Sequence, residues 1–126
     1  MIVIVSGSRD YHKTDILDDL MDLDFGFFDE LGIFVGDAKG VDATIREFCI
    51  TKGVEHEIFY ADWESYGFAA GPIRNKQMIE AAYKFHQESG DEIVMLAFPG
   101  PKSKGTKNAI EIAQKMGINV LVREVY

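Results

Sequence analysis

Short runs of apolar residues, many of them β-branched, recur along the chain and end at glycine or at polar residues. Such runs are typical of strands that are buried in a sheet, and one run instead alternates apolar and polar residues in the manner of a half-buried strand. The pattern predicts five strands, at residues 2–5, 33–35, 55–60, 93–98 and 119–123.

Between these runs the apolar residues recur three and four positions apart, which is the spacing of one helix face. The spacing predicts helices that begin near residue 14 and that cover 41–52, 72–89 and 106–116. Alternating strands and helices over residues 1–126 predict a single α/β domain, with a three-layer sandwich around a mostly parallel five-stranded sheet. The residues predicted to be buried in its core are Ile4, Val35, Phe48, Ile79, Val94, Leu96, Ile112 and Val120.

The chain carries 21 acidic residues and 13 Lys or Arg residues, for a net charge of −8. Seven acids and no base lie between Asp15 and Glu30, where the apolar residues keep helical spacing, so these acids are predicted to form a solvated helix face. The rest of the chain is near neutral and can hold an anion. The acidic balance argues against a nucleic-acid partner, because phosphate neutralisation needs clustered Lys and Arg.

The chain lacks the usual sequence signs of secretion, membrane insertion and metal binding. Its one cysteine, Cys49, cannot form an intrachain disulfide, and no basic residue precedes the apolar start at residues 1–5. A cytoplasmic location without a membrane partner is therefore the expectation, and neither a metal nor a cofactor is expected. Three phenylalanines lie close together without a helical period: Phe25, Phe27 and Phe28. This aromatic cluster can cover the core or contact a second subunit of a homo-oligomer.

Four segments that follow predicted strands combine glycine with polar or charged residues, at 6–11, 36–42, 62–75 and 98–106. In a parallel sheet such segments meet at the carboxyl edge, where ligands bind at the point at which the strand order reverses. Glycine lets a ligand approach the backbone, and a helix that opens behind it points free N–H groups at an anion. Each glycine could also serve only to make a turn, but four such loops at one edge favour a ligand site.

Arg9 and Arg74 are two of the four arginines of the chain, and both lie in these segments. Each could hold a phosphate through two parallel N–H donors or could pair with a nearby acid. Because Arg74 falls in the first turn of a predicted helix, where the dipole disfavours a cation, an anionic partner is predicted for it. The internal candidates for these pairs are Asp10, Asp42, Asp62 and Glu64.

Other side chains in the loops each allow two interpretations. Trp63 and Tyr66 could stack on a base or pack under the long loop. Asp42 could orient a ribose or cap the helix that opens near Gly40. Asn75 is a poor helix former, so a hydrogen bond to a ligand or to a loop explains it better than helix propensity.

The loops do not match the common nucleotide motifs. The first loop lacks the G-x-G-x-x-G of a classical dehydrogenase, and Lys104-Gly105-Thr106 has the wrong order for a P-loop. The segments that carry a resemblance to a known family are Gly7-Ser8-Arg9, Gly36-x-x-x-Gly40-Val41-Asp42, Ala61-Asp62-Trp63 with Tyr66-Gly67, Ala70-Gly71-Pro72-Ile73-Arg74-Asn75 with Met78, and Phe98-Pro99-Gly100 with Gly105-Thr106. In this order they resemble the YspA-type, YpsA-related branch of the SLOG superfamily, which is akin to the LOG phosphoribohydrolases and the DprA core.

The resemblance covers nearly the whole chain and implies a Rossmann-like fold that binds a nucleotide or a nucleotide-derived ligand. It also implies a sensing or sequestering role in bacterial or phage conflict. Loop positions and resemblance together predict a ligand site with these members: Gly7, Ser8, Arg9, Gly36, Gly40, Asp42, Trp63, Arg74, Asn75, Pro99, Gly100, Lys104, Gly105 and Thr106.

Two other functions stay open on the sequence. One is a nucleotide N-glycosidase in which Asp10, Asp42 or Asp62 activates water or stabilises a ribose cation. Ala109 stands where the LOG-like enzymes carry an acid, so binding is favoured over hydrolysis. Pro101 replaces a family glycine and removes one backbone donor from the phosphate geometry that the resemblance implies. The other is a DprA-like module for single-stranded DNA, which the acidic balance disfavours.

Overall fold

The computed structural model describes residues 1–23 and 30–126 as alternating strands and helices. The strands within these residues are β1 (Ile2–Gly7), β2 (Gly32–Gly36), β3 (Glu55–Phe59), β4 (Ile93–Phe98) and β5 (Asn119–Val122). The helices are α1 (Ile16–Met21), α2 (Val41–Lys52), α3 (Trp63–Tyr66), α4 (Ala70–Ser89) and α5 (Lys104–Lys115), and a 3₁₀ turn, Gly67–Ala69, joins α3 to α4. None of these helices combines the length and the apolar character that a membrane span requires.

The strands form one sheet in the order β3-β2-β1-β4-β5, and every neighbouring pair is parallel. Side chains alternate across β1, so Val3 and Val5 pack with α1 and α2 whereas Ile2 and Ile4 pack with α4 and α5. Burial on both faces explains why β1 and β4 are continuous apolar runs. The predicted α/β three-layer, Rossmann-like fold is confirmed, with a sheet that is parallel throughout the described strands.

The strand order reverses between β1 and β4. From β1 the chain adds β2 and β3 on one side and later places β4 and β5 on the other side. Gly7 pairs with Phe98, and the Ser8 N–H donates to the Phe98 carbonyl at 2.9 Å. The carboxyl ends of β1 and β4 are therefore neighbours at the position where open parallel sheets bind ligands.

The predicted core is confirmed at six of its eight positions, while Ile112 and Val120 are half-buried. Val120 lies on β5, an edge strand with a neighbour on one side, and α5 meets the sheet mainly through alanines. Phe85 continues the helical spacing of the apolar residues of α4, which places it on the inner face, but it is 50% exposed. The reason is length, because the 20-residue helix α4 is longer than the six-residue strands that it covers.

Two members of the predicted solvated acidic face also form ion pairs: Asp15, which is exposed, and Asp19, which is half-buried. Arg123 donates from Nε to Asp19 at 2.7 Å, and its Nη1 lies 3.5 Å from Asp15. The Tyr11 hydroxyl donates to Asp15 at 2.6 Å, and this bond together with the charge of Arg123 lowers the pKa of that carboxyl. These contacts connect α1 to the chain after β5. The aromatic cluster at residues 25, 27 and 28 lies outside the described residues.

Candidate functional site

A cleft of about 880 Å³ opens at the carboxyl edge of the sheet, where β1 and β4 meet. The loops after β1, β2 and β4 line it, together with α3 and the first turns of α4 and α5. The site residues predicted from the sequence that lie in its wall are Gly7, Ser8, Arg9, Asp10, Asp42, Trp63, Arg74, Asn75, Lys104, Gly105 and Thr106.

Other predicted site residues support the loops without lining the cleft. Asp62 is the N-cap of α3 and accepts the Ser65 N–H at 3.1 Å. The Pro99 carbonyl accepts the Val125 N–H at 3.0 Å, which fixes the chain after β5 beside the end of β4. The predicted residues of this supporting group are Gly36, Gly40, Asp62, Pro99 and Gly100.

Gly40 and Gly100 bring their loops into direct contact with Ser8. Gly40 has a φ of 75°, and a Cβ built on it would lie 2.2 Å from the Ser8 carbonyl oxygen. The Val41 N–H donates to that same oxygen at 3.0 Å, so the start of α2 is held against the end of β1. A Cβ on Gly100 would lie 2.8 Å from Ser8 Oγ. These glycines thus shape the cleft by allowing two loop backbones to approach Ser8 closely, Gly40 at its backbone and Gly100 at its side chain.

Arg74 is buried in the first turn of α4 and has an internal anionic partner. Its Nη1 lies 2.6 Å from Asp37 Oδ1, so the partner is Asp37 and not Asp62 or Glu64. The side chain of Arg74 is 8% exposed and that of Asp37 is 27% exposed. A cation at this position is tolerated because the carboxylate offsets both the helix dipole and the loss of hydration.

Asn75 extends this contact to the far side of the cleft. Its Oδ1 accepts the Arg74 Nε–H at 3.0 Å, and its Nδ2 donates to the Gly105 carbonyl at 3.1 Å. Asn75 therefore makes internal hydrogen bonds, to the Arg74 side chain and to the first turn of α5. The chain of contacts runs from Asp37 after β2 through α4 to the first turn of α5, so three walls of the cleft are mutually positioned.

Asp42 is a carboxylic acid in the wall of the cleft and is 5% exposed. The capping interpretation is wrong, because Gly40 is the N-cap of α2 and Asp42 lies inside the helix. Burial raises the pKa of Asp42 to about 6, against the opposing charge of Arg74 and the Ala38 backbone N–H. In the part of the chain that the structure describes, Oδ1 of Asp42 has no hydrogen-bond partner.

An aromatic and cationic pair forms the opposite rim. The Arg9 guanidinium lies over the Trp63 ring, with 5.3 Å from Cζ to the ring centroid. Trp63 is 45% exposed, so it stands in the wall of the cleft and is only partly packed under the loop. Phe68, fully exposed in the 3₁₀ turn, lines the same rim. This rim offers π faces to a planar group.

The loop between β4 and α5 presents hydroxyls and cations. Ser103 is the N-cap of α5, and its Oγ accepts the Gly100 N–H at 2.7 Å. Thr106 is buried, whereas Lys102 and Lys104 are exposed at the cleft. Five basic side chains and two acidic ones line the cleft as a whole: Arg9, Lys39, Arg74, Lys102 and Lys104, with Asp10 and Asp42. In a chain of net charge −8, this is a local concentration of positive charge.

Sequence reasoning did not assign Lys39, Phe68 or Tyr126 to the site, although all three line the cleft. Lys39 lies inside the Gly36-x-x-x-Gly40 motif, so its position was available as a signal. Phe68 falls in a stretch without periodicity. Tyr126 reaches the cleft because the chain after β5 continues beside the end of β4, where the Arg123 and Val125 N–H groups donate to the Ala97 and Pro99 carbonyls.

Outside the cleft, burial raises the pKa of the Cys49 thiol to about 11, which makes it a poor nucleophile at neutral pH. Among the described residues, no group of three or more His, Cys, Asp or Glu side chains is placed to hold a metal ion.

Comparison with known proteins gives one informative relationship. No protein-family model matches the chain. The chain is 32% identical over 125 residues to the Gene 61 protein of Mycobacterium phage D29, an alignment that covers 94% of this chain and 93% of the relative. Since the similarity extends over nearly the full length of both proteins, the chain belongs to the family of that phage Gene 61 protein.

Proposed function

We propose that this protein binds a nucleotide or a nucleotide-derived ligand in the cleft between the ends of β1 and β4. The observation that carries the proposal is the excess of basic over acidic side chains in this cleft of an acidic protein. The cleft volume of about 880 Å³ falls within the range of small-molecule sites. Phosphate would meet Lys102, Lys104 and the first turn of α5, while a base would stack at the aromatic rim.

We infer further that the ligand is sensed or sequestered and not turned over. Ala109, which stands where the LOG-like hydrolases that the loops resemble carry an acid, is fully buried and packs against the sheet. An alanine has no carboxylate, so this position supplies no acid to the cleft. A role in conflict between phage and host is part of this proposal, and it comes from the family resemblance of the loops; the relative itself is a phage protein.

The first test is to identify small molecules released from the purified protein after denaturation, by mass spectrometry. Calorimetric titration with the four ribonucleoside 5′-monophosphates and with inorganic phosphate then measures affinity. Lys104→Ala should weaken nucleotide binding about tenfold, as expected for one lost charge-assisted contact. Lys115→Ala is the matched control, because it removes the same charge from the far end of α5 and should leave affinity unchanged.

The proposal is contradicted if the protein carries no phosphate-containing molecule and binds none of the four nucleotides. If the protein binds inorganic phosphate but none of the four nucleotides, the cleft is an anion site and not a nucleotide site.

A second candidate function is hydrolysis of the N-glycosidic bond, and one observation favours it. Asp42 is a cleft carboxyl whose raised pKa of about 6 suits proton transfer near neutral pH. The reaction would convert a nucleoside monophosphate and water into free base and ribose phosphate. Incubation with the four monophosphates, followed by chromatography of the free bases, tests it: release that is lost in Asp42→Asn supports hydrolysis, and no release in the wild type excludes it for these substrates.

A further inference from the structure

Asp42 is a buried acceptor without an internal donor on one of its oxygens. Its side chain lies at the cleft, and Oδ1 has no hydrogen-bond partner among the described residues. The other oxygen lies on the side of β2, because a Cβ on Gly36 would approach Asp42 Oδ2 to 2.6 Å and Arg74 Nη1 to 2.7 Å. A buried carboxylate oxygen without a donor is costly, so a donor from a bound molecule would stabilise it.

The strand order indicates which part of a ligand supplies that donor. Along the carboxyl edge, α3 with Trp63 follows β3, Asp42 follows β2, and the loop with Lys102 and Lys104 follows β4. In strand order Asp42 therefore lies between the helix that carries Trp63 and the loop that carries Lys102 and Lys104, and the Trp63 ring itself reaches Arg9 in the loop after β1. Base, sugar and phosphate occur in the same order in a nucleotide, and the hydroxyls of ribose are the donors of its central part.

We infer, on the basis of the nucleotide site proposed above, that a ribose hydroxyl of the ligand donates a hydrogen bond to Asp42, so that the site selects ribonucleotides over deoxyribonucleotides. Neighbouring groups fit this geometry. Arg74 pairs with Asp37, Oδ1 of Asp42 has no donor among the described residues, and the aromatic rim and the cationic loop would hold the two ends of the molecule. The carboxylate of Asp42 would thus distinguish ligands by their sugar and not by their base.

The experiment compares the best-binding ribonucleoside 5′-monophosphate with its 2′-deoxy and 3′-deoxy forms, by calorimetric titration at pH 8, where Asp42 is ionised. For the wild type, at least one deoxy form should bind ten times more weakly or worse, since one hydrogen bond to a charged acceptor is lost. In Asp42→Ala and Asp42→Asn this ratio should fall toward one. Asp18→Asn, an exposed acid on α1 outside the cleft, controls for the change in net charge and should keep the wild-type ratio.

The outcomes separate the two proposals. If no ribonucleotide binds, both fail. If ribonucleotide and deoxynucleotides bind the wild type equally, the inference about Asp42 fails and the nucleotide site stands. If the wild type discriminates and both Asp42 variants, shown to be folded by circular dichroism, keep the same ratio, another group reads the sugar and the inference is overturned.

Discussion

Arg74 stands in the first turn of α4 and is nevertheless buried, because Asp37 lies 2.6 Å away and Asn75 accepts its Nε–H. The local rule that a helix start disfavours a cation predicted an anionic partner, and the structure supplies one from the loop after β2. This partner is 37 residues away in sequence, among several acids in the loops, so the pairing could not be read from local spacing.

We expect Arg74→Ala to lower the free energy of unfolding by about 3 kcal/mol, because it leaves Asp37 partly buried without its cation. Arg74→Lys should restore part of the loss, since an ammonium can meet the carboxylate but cannot also reproduce the Nε bond. Urea unfolding measures both variants. Lys76→Ala is the control on the same helix, where an exposed 3.9 Å pair with Glu80 should contribute less than about 1 kcal/mol. Equal stability of the Arg74→Ala and Lys76→Ala proteins would contradict this role of Arg74.

Asp42 should make stability depend on pH in a direction opposite to that of a salt-bridged acid. Its pKa is raised from 3.8 to about 6, so between these values the folded protein binds more protons than the unfolded chain. The contribution of Asp42 to the free energy of unfolding therefore falls as pH rises through this window, by up to about 3 kcal/mol.

The measurement is urea unfolding of the wild type and Asp42→Asn at intervals from pH 4 to pH 7. The stability of the variant relative to the wild type should increase with pH and level off above pH 6. Parallel curves for the two proteins would mean that Asp42 has an ordinary pKa.

Helices and strands were predictable wherever a run was long enough to show its period. β4 matches its predicted residues, and α2 ends before Gly53 as predicted. α3 was not predicted, because four residues cannot display a helical period and the Asp62 cap is its main local signal. α4 begins two residues before Pro72, since proline is tolerated within the first turn, where its missing N–H has no helical partner.

The junction of β1 with α2 depends on Gly40, whose backbone combines a φ of 75° with a ψ of −128°. A side chain there is strained, and its Cβ would also collide with the Ser8 carbonyl oxygen. Gly40→Ala should therefore lower the free energy of unfolding by at least about 3 kcal/mol. Gly53→Ala should cost only about 1 kcal/mol, because Gly53 has a φ of 68° with no atom near its Cβ position. Urea unfolding measures both variants, and the Gly40→Ala protein should have the lower midpoint. A smaller loss of stability in Gly40→Ala than in Gly53→Ala would refute this role of Gly40.

For the molecule as a whole, alternation of strands and helices was enough to predict a parallel sheet, and the strand-end rule placed most of the candidate residues in one cleft. The alternation of strands and helices does not determine the strand order, because a sheet can add each new strand on either side of the first. Closure of the cleft by the chain after β5 and the bridge from Arg123 to α1 are likewise invisible to periodicity. The first depends on backbone bonds from Arg123 and Val125 to Ala97 and Pro99, and the second joins residues 104 positions apart.

The central position of β1 bears on how the protein emerges from the ribosome. β1 is synthesised first, but one of its two partners, β4, is complete only when Phe98 has been added. Until then β1 and β2 can pair, and the other side of β1 exposes unpaired backbone groups and apolar side chains. The nascent chain is therefore most prone to aggregation during synthesis of residues 37–98, a period in which chaperone binding would benefit folding.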